Sequence, residues 1–328
     1  MIRNRMLLLG AVVLAGAIAQ DIAEGAPKAP AVTTCDRACL NTLADNYLAA
    51  LVAHDPRKVQ LAPDIRIVEN AKRIQPGEGL WKTATAGPTE FKIVVPDPYS
   101  QEVGGMVMLQ SDGKPAQLGF RLKLVNGKIA EAEHMIALPR EQSLGNLQKL
   151  RAAIPMDVPY EYRDSRGRLV HIAKSYYDAL DNNNGYLAPF AQDCERHENG
   201  FRTAPNGGVA GNPGIPGGPQ RAPGLAGLQD CTSQINSGTF QYITVIDNRR
   251  VEVADEQTGL ALGFSHFHHA MTEKEFKILN DPNRDVMKMD YKPFDLPAMH
   301  IFKIWGGQIH EIEAMGFTAD YNSPSGWD

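Results

Sequence analysis

Two short stretches of this chain recur far downstream, and that recurrence limits its possible folds more than any other feature. Asp193–Arg202, DCERHENGFR, aligns without a gap on Asp64–Arg73, DIRIVENAKR, pairing Asp64 with Asp193, Glu69 with Glu198, Asn70 with Asn199 and Arg73 with Arg202. Further along, VNGKIAEAEHM (Val125–Met135) aligns on WGGQIHEIEAM (Trp305–Met315), pairing Gly127 with Gly307, Ile129 with Ile309, Glu131 with Glu311, Glu133 with Glu313 and Met135 with Met315. Two anchors in the same order, with an amphipathic stretch before the first and strand-like runs between, predict a duplicated domain. The period is far longer than a solenoid repeat, and 328 residues accommodate two domains of ordinary size.

The N-terminus carries its own signal. Arg3 and Arg5 precede an apolar run from Met6 to Ala19 that ends Ala17-Ile18-Ala19, the layout of a secretory signal peptide over residues 1–19. A retained anchor is the competing reading, but the run is short for a span, and no cysteine follows the cleavage site as a lipoprotein requires. The expectation is a periplasmic or secreted protein beginning near Gln20, with an Ala/Pro-rich leader over 20–34. In an oxidising compartment the four cysteines tend to pair. Of three connectivities, Cys194–Cys231 closes the base of a long loop and Cys35–Cys39 is a local bond. Zinc is the rival reading, though the C-x-x-C spacing is missing. A net charge of −5 with 22% charged residues offers no polybasic surface for nucleic acid. It leaves a small neutral or apolar molecule as the natural partner, with no membrane association after signal cleavage.

Between these landmarks the chain alternates helix and strand patterns. Leu40, Leu43, Tyr47, Leu48, Leu51 and Val52 keep a helical period, which Asp55-Pro56 ends. Ile65, Ile67 and Glu69 alternate as on a strand, placing a carboxylate beside two isoleucines. Strand-like runs follow at Phe91–Val95, Val103–Gln110 and Leu118–Val125, and the Asn126-Gly127 hairpin signal leads into Lys128–Leu138. Helix first and antiparallel meander after is an α+β layout over 35–138. Residues 139–170 read as a connector with a helix near Leu144–Ala153. The plan then repeats over 171–318: Ile172, Tyr176, Ala179 and Leu180 share a helix face, and strands are expected at Thr239–Asp247, Arg250–Asp255, Leu260–His269, Met299–Trp305 and Gln308–Phe317. Residues 203–229, mostly Gly, Pro and Ala, cannot bury enough surface to fold alone and read as a disordered loop or a lid.

This layout resembles the NTF2-like superfamily, in particular tandem SnoaL-like domains. The motifs that carry the resemblance are GEGLW (Gly77–Trp81), the E-N pairs and the closing G-x-I-x-E-x-E strands. It is most similar to a group of secreted fungal and bacterial proteins with R-x-E-N-G, D-E-x-x-G and I-x-E-I-E signatures, met here at Arg196, Glu198, Asn199 and Gly200, at Asp255, Glu256 and Gly259, and at Ile309–Glu313. The resemblance implies two cones, each a curved antiparallel sheet wrapped around N-terminal helices, with a hydrophobic cavity at the mouth. In SnoaL-like enzymes such a cavity hosts cofactor-free proton transfer, including lyase reactions on lignin-derived aromatics. Other members only bind, so fold does not decide function.

Of nine histidines, seven lie in the second half, the half expected to be active. His266 and His268 share a strand face with Leu262 and Phe264, expected to line the cone, while His269 points the other way into solvent. His300 aligns with Phe120 and is expected to point inward. Glu198 and Arg196 look to one side as an ion pair, but recurrence of the carboxylate at Glu69 argues for a role in the fold. His197 takes the opposite face from Glu198. Tyr176 and Tyr177 lie on the helix that floors the cone, where either packs or holds a substrate oxygen. Catalytic candidates are therefore His266, His268, Glu198, His300, His197 and Tyr177, with Tyr176, Arg196, Phe264 and Trp305 as substrate-binding candidates. The repeated pairs Glu131/Glu133 and Glu311/Glu313 read as rows of structural ion pairs. The first expectation is an exported, cofactor-independent acid–base enzyme, a lyase or isomerase acting on a small, partly apolar molecule. The alternatives are a non-catalytic binding protein and a metal-dependent hydrolase using His266, His268 and His300. Pairing of cones into a homo-oligomer is compatible with all three.

Overall fold

The computed structural model describes residues 34–205, 230–280 and 285–328. The expected signal peptide, the leader and most of the Gly/Pro-rich loop lie outside the described residues. The first half begins with α1 (Arg37–Val52), whose N-terminus is capped by Asp36 accepting from the Cys39 amide at 2.8 Å. Its buried stripe of Leu40, Ala44, Tyr47, Leu48 and Leu51 lies against a curled sheet. That sheet comprises β1 (Leu61–Glu69) and β2 (Lys72–Ile74), then β3 (Ala84–Ala86) after the short α2 (Leu80–Thr83), then β4 (Lys92–Asp97), β5 (Glu102–Ser111), β6 (Lys114–Val125) and β7 (Lys128–Ala137). Its order is β2-β1-β7-β6-β5-β3, with β4 also on β5.

The second half has α3 (Arg166–Asp181), β8 (Phe190–Glu198), β9 (Phe201–Ala204), α4 (Cys231–Asn236), β10 (Val245–Asp255) and β11 (Leu260–His269). After a small hairpin of β12 (Glu275–Lys277) and β13 (Val286–Lys288) come β14 (Phe294–Trp305), β15 (Gln308–Gly316) and β16 (Ala319–Asp320). Its main sheet runs β10-β11-β14-β15-β8-β9. Both sheets contain one parallel pair, and the registers of those pairs correspond. On β1, Arg66, Ile67, Val68 and Glu69 face Glu131, Ala132, Glu133 and His134; on β8, Glu195, Arg196, His197 and Glu198 face Glu311, Ile312, Glu313 and Ala314. These are the pairs that the two sequence anchors align.

The E-N motif has a structural reason. Asn70 and Asn199 end the parallel strands at φ 43° and 46°, a left-handed conformation that asparagine tolerates. Each side chain then continues the ladder that its backbone has left. Asn70 exchanges two hydrogen bonds with the Ile136 backbone (2.7 and 3.1 Å), and Asn199 does the same with Gly316 (3.0 and 3.1 Å).

A third core joins the halves. Met106, Met108 and Met135 from the first sheet interlock with Leu262, Phe264, Met299, Ile301 and Met315 from the second, so the sheets pack through the faces turned away from their helices. Residues 34–328 thus form one compact unit. Bidentate Arg250–Glu133 (2.6 and 2.8 Å), Arg37–Asp255 (2.8 Å) and Arg166–Asp97 (2.8 Å) rim the contact. At its centre the backbones must approach closely. A side chain at Gly119 would collide with the sulfurs of Met299 and Met315, and one at Gly104 would come within 2.6 Å of Leu262. We expect Gly119→Val to lower stability by about 1–3 kcal/mol, read as a lower urea midpoint with an unchanged slope.

Two local expectations differ from the structure. The connector carries a 3₁₀ segment at Glu141–Leu147 in place of a helix over Leu144–Ala153. Residues 239–242 are turn, 243 and 244 belong to no regular element, and the two strands expected over Thr239–Asp255 are one, β10, in which Asn248 at φ 46° marks a register shift. Both Cys35–Cys39 and Cys194–Cys231 are disulfides, as favoured from spacing.

Candidate active site

The two inner faces differ at a few matched positions, and those differences create the site. In the first half the Tyr47 hydroxyl meets His134 Nε2 at 2.9 Å, His134 Nδ1 meets Glu69 Oε2 at 3.1 Å, and Glu69 accepts from the Leu80 amide at 2.9 and 3.2 Å. Glu69 therefore anchors the start of α2, and His134 fills the space above it.

In the second half Tyr176 and Glu198 keep the places of Tyr47 and Glu69, but alanine stands at 314 in place of His134. The missing ring leaves a cavity of about 80 Å³ lined by Tyr176, Glu198, Tyr242, Phe267, His269 and His300. Glu198 has lost both structural duties. Among the described residues its ionic partner is Arg196 Nε at 3.3 Å, and its side chain is 44% exposed at the cavity mouth.

Arg196 is held from behind. It donates to Gln234 Oε1 at 2.7 Å and Thr203 Oγ1 at 2.9 Å, and its guanidinium lies 4.7 Å over the Phe240 ring. A third donor reaches the Tyr176 hydroxyl oxygen at 3.5 Å, leaving the phenol hydrogen to point elsewhere. Burial pushes the Tyr176 hydroxyl up to about 12, so it stays a phenol and a donor.

The two imidazoles in the cavity are neutral. Burial, aided by the Arg196 charge, lowers His300 to about 3, and its Nδ1 stands 3.3 Å from the Tyr177 hydroxyl. His269 is stacked between Phe294 (4.3 Å) and Tyr242 (5.5 Å). Burial lowers it to about 4, outweighing the pull of Asp295 and of the Phe294 backbone toward the charged form. Its Nδ1 is buried and forms no hydrogen bond of good geometry among the described residues. Such groups polarise or orient an oxygen, as donors or acceptors, but do not store a proton near neutral pH. The carboxylate of Glu198 is the lining group suited to accept one.

The strand faces expected for β11 are therefore exchanged. His266, His268 and Phe264 lie on the outer face, Phe264 within the core between the sheets, while His269 is 2% exposed and lines the cavity. His300 lies across the sheet from His266 and His268, so the expected metal set of these three is not assembled. His197 is also on the outer face, 2.7 Å from Glu195. Trp305 stacks on His310 at 3.3 Å and packs on Val158, away from the cavity. Tyr177 sits behind His300, and Arg196 behind Glu198; neither lines the cavity. Tyr176, Glu198 and His300 come together there. The cause of the exchange is burial of both faces of β11: Leu262 and Phe264 are as buried as Phe267. Gly263 pairs with His300, so the odd-numbered residues of β11 share its inward face, and no sequence signal gives that pairing.

A sequence profile described as "Domain of unknown function (DUF8021)" matches residues 162–316, the second half with its cavity. Comparison with curated proteins finds no match. Among solved structures, a candidate polyketide cyclase from Xanthomonas campestris pv. campestris is similar at 14% identity, covering 46% of this chain and 90% of that one with a TM-score of 0.28. A candidate SnoaL-like polyketide cyclase from Jannaschia sp. CCS1 is similar at 13% identity, covering 47% and 89% with a TM-score of 0.27. An NTF2-like protein from Burkholderia thailandensis is similar at 16% identity, covering 46% and 89% with a TM-score of 0.23.

Proposed function

We propose that the second half is a small-molecule site performing cofactor-independent acid–base chemistry of the isomerase or lyase type. Glu198 is the base, and Tyr176, His269 and His300 bind the oxygen on which charge develops. The observation that carries this reading is the release of Glu198 from the contacts that occupy its counterpart Glu69. Convergence of polar groups in an otherwise apolar hollow favours catalysis over storage of a ligand. The cavity of about 80 Å³ is smaller than the ~150 Å³ hollow that admits benzene. The ligand is thus a small molecule or the reacting end of a larger one entering past Glu198, and a lignin-derived dimer would leave most of its bulk outside. We read the two sheets as copies of one unit, the first filled by its own His134. The two disulfides suit an exported protein.

The test is Ala314→His, which restores in the second half the ring that fills the first. Small acyclic ketones and aldehydes are screened by thermal shift. A ligand at about a hundred times its Kd stabilises wild type by about 2.7 kcal/mol, and the variant, folded by circular dichroism, should lose that shift. For a ligand that is turned over, Glu198→Gln should lower kcat by about 10²–10⁴ while retaining binding. Ligand shifts of equal size in Ala314→His and wild type would place the site elsewhere. Retained turnover in Glu198→Gln would remove the catalytic assignment.

A further inference from the structure

We infer a transition-metal site, suited to Zn²⁺, on the outer face of the second sheet, formed by Asp247, His266 and His268. It is separate from the cavity, which lies across the sheet. His266 and His268 alternate on β11, with rings stacked 4.7 Å apart and 3° from parallel. Asp247 on β10 stands opposite His266 in register and brings Oδ1 to 3.1 Å from His268 Nε2. One donor atom from each of the three residues lies within 4.8 Å of the others.

A second carboxylate prepares these rings. Asp295, on β14 opposite His268, is 0% exposed. Its Oδ1 takes His268 Nδ1 at 2.9 Å and its Oδ2 faces His266 Nε2 at 3.2 Å, while the Ser323 amide donates to Oδ2 at 2.9 Å. The Ser323 hydroxyl lies 3.3 Å from both Asp295 Oδ2 and His266 Nε2. A buried carboxylate that fixes one nitrogen of an imidazole and leaves the other for a metal is the usual second layer of a zinc site. Two imidazoles and one carboxylate are borderline donors of the kind Zn²⁺ prefers, and three protein ligands leave a fourth position open. Asp247, 53% exposed, puts that position at the solvent side. Two carboxylates around two imidazoles also leave a negative charge that a dication neutralises.

The test uses untagged, EDTA-treated full-length protein titrated with ZnCl₂ by calorimetry. We expect one Zn²⁺ per chain with a micromolar or tighter Kd. His268→Gln and Asp247→Asn should each weaken binding tenfold or more, and Asp295→Asn by about 10–100-fold through loss of ring orientation. Asp247→Asn changes an exposed side chain, so its result is readable even where a histidine variant folds poorly. No saturable uptake by wild type, or uptake that Asp247→Asn and His268→Gln leave unchanged, would overturn the proposal.

Discussion

Replacing Arg151 by methionine should destabilise the protein by about 3–5 kcal/mol, the range for removing one partner of a buried ion cluster. Arg151 comes from the connector and enters among three carboxylates on the outer face of the second sheet: Glu313 at 2.9 Å, Glu311 at 3.1 Å and Glu195 at 3.7 Å. It also donates to the Ile312 and Glu195 carbonyls at 3.1 and 3.2 Å. Methionine preserves much of the packing, so the loss reports the charge. The effect should depend on pH in a defined direction. Burial raises Glu311 to about 7 despite the guanidinium, so between its unfolded value near 4.5 and about 7 the folded state holds a proton that the unfolded state does not. Its stabilising contribution is complete below about 4.5 and is lost as pH rises through 7, by about 3 kcal/mol over that window. Without Arg151 the charged form is less favoured still, so the gap between variant and wild type should widen from pH 5 to pH 8. A chemical-denaturation series over that range checks it. An equal loss at both ends would mean that Arg151 acts through shape.

The second large effect is expected from Cys194→Ala with Cys231→Ala. The bond joins residues 37 apart, and chain-entropy reasoning for a loop of that size gives about 4 kcal/mol, with 2–4 commonly realised. For the single unit of residues 34–328 that is a fall in Tm of roughly 3–6 °C. The bond also fastens α4 to β8, where Gln234 holds Arg196 and Arg196 pairs with Glu198. The double variant should therefore lose the ligand-induced thermal shift along with its stability. The matching change at Cys35 and Cys39, which are only four apart, should cost less and leave the cavity intact. Equal losses from the two pairs would show that the longer bond adds nothing to the wall of the site.

Much of this was legible in one dimension. The Asn126-Gly127 hairpin at φ 51° and 75° follows from residue type, and the inward course of His300 from its alignment on Phe120. The ion-pair rows were legible too: Glu131 and Glu133 meet Arg121, and Glu311 and Glu313 meet Arg151. The face of β11 was not. Alternation identifies an inner face only when the other face meets water, and here the packed sheets bury both. Leu262 and Phe264 thus suggested an interior that belongs to the contact between halves, carrying His266 and His268 to the wrong side and His269 into solvent.

The sequence by itself determined most of the local elements and the matching of the two anchors, because these depend on short-range sterics and on periodicity. Only the tertiary structure decided which carboxylate stands at an open pocket. Glu69 and Glu198 sit in like sequence, and the fate of each is set by a residue on the neighbouring strand, His134 or Ala314. One ring fills its pocket and binds the acid; one methyl group leaves the pocket open and the acid at its mouth.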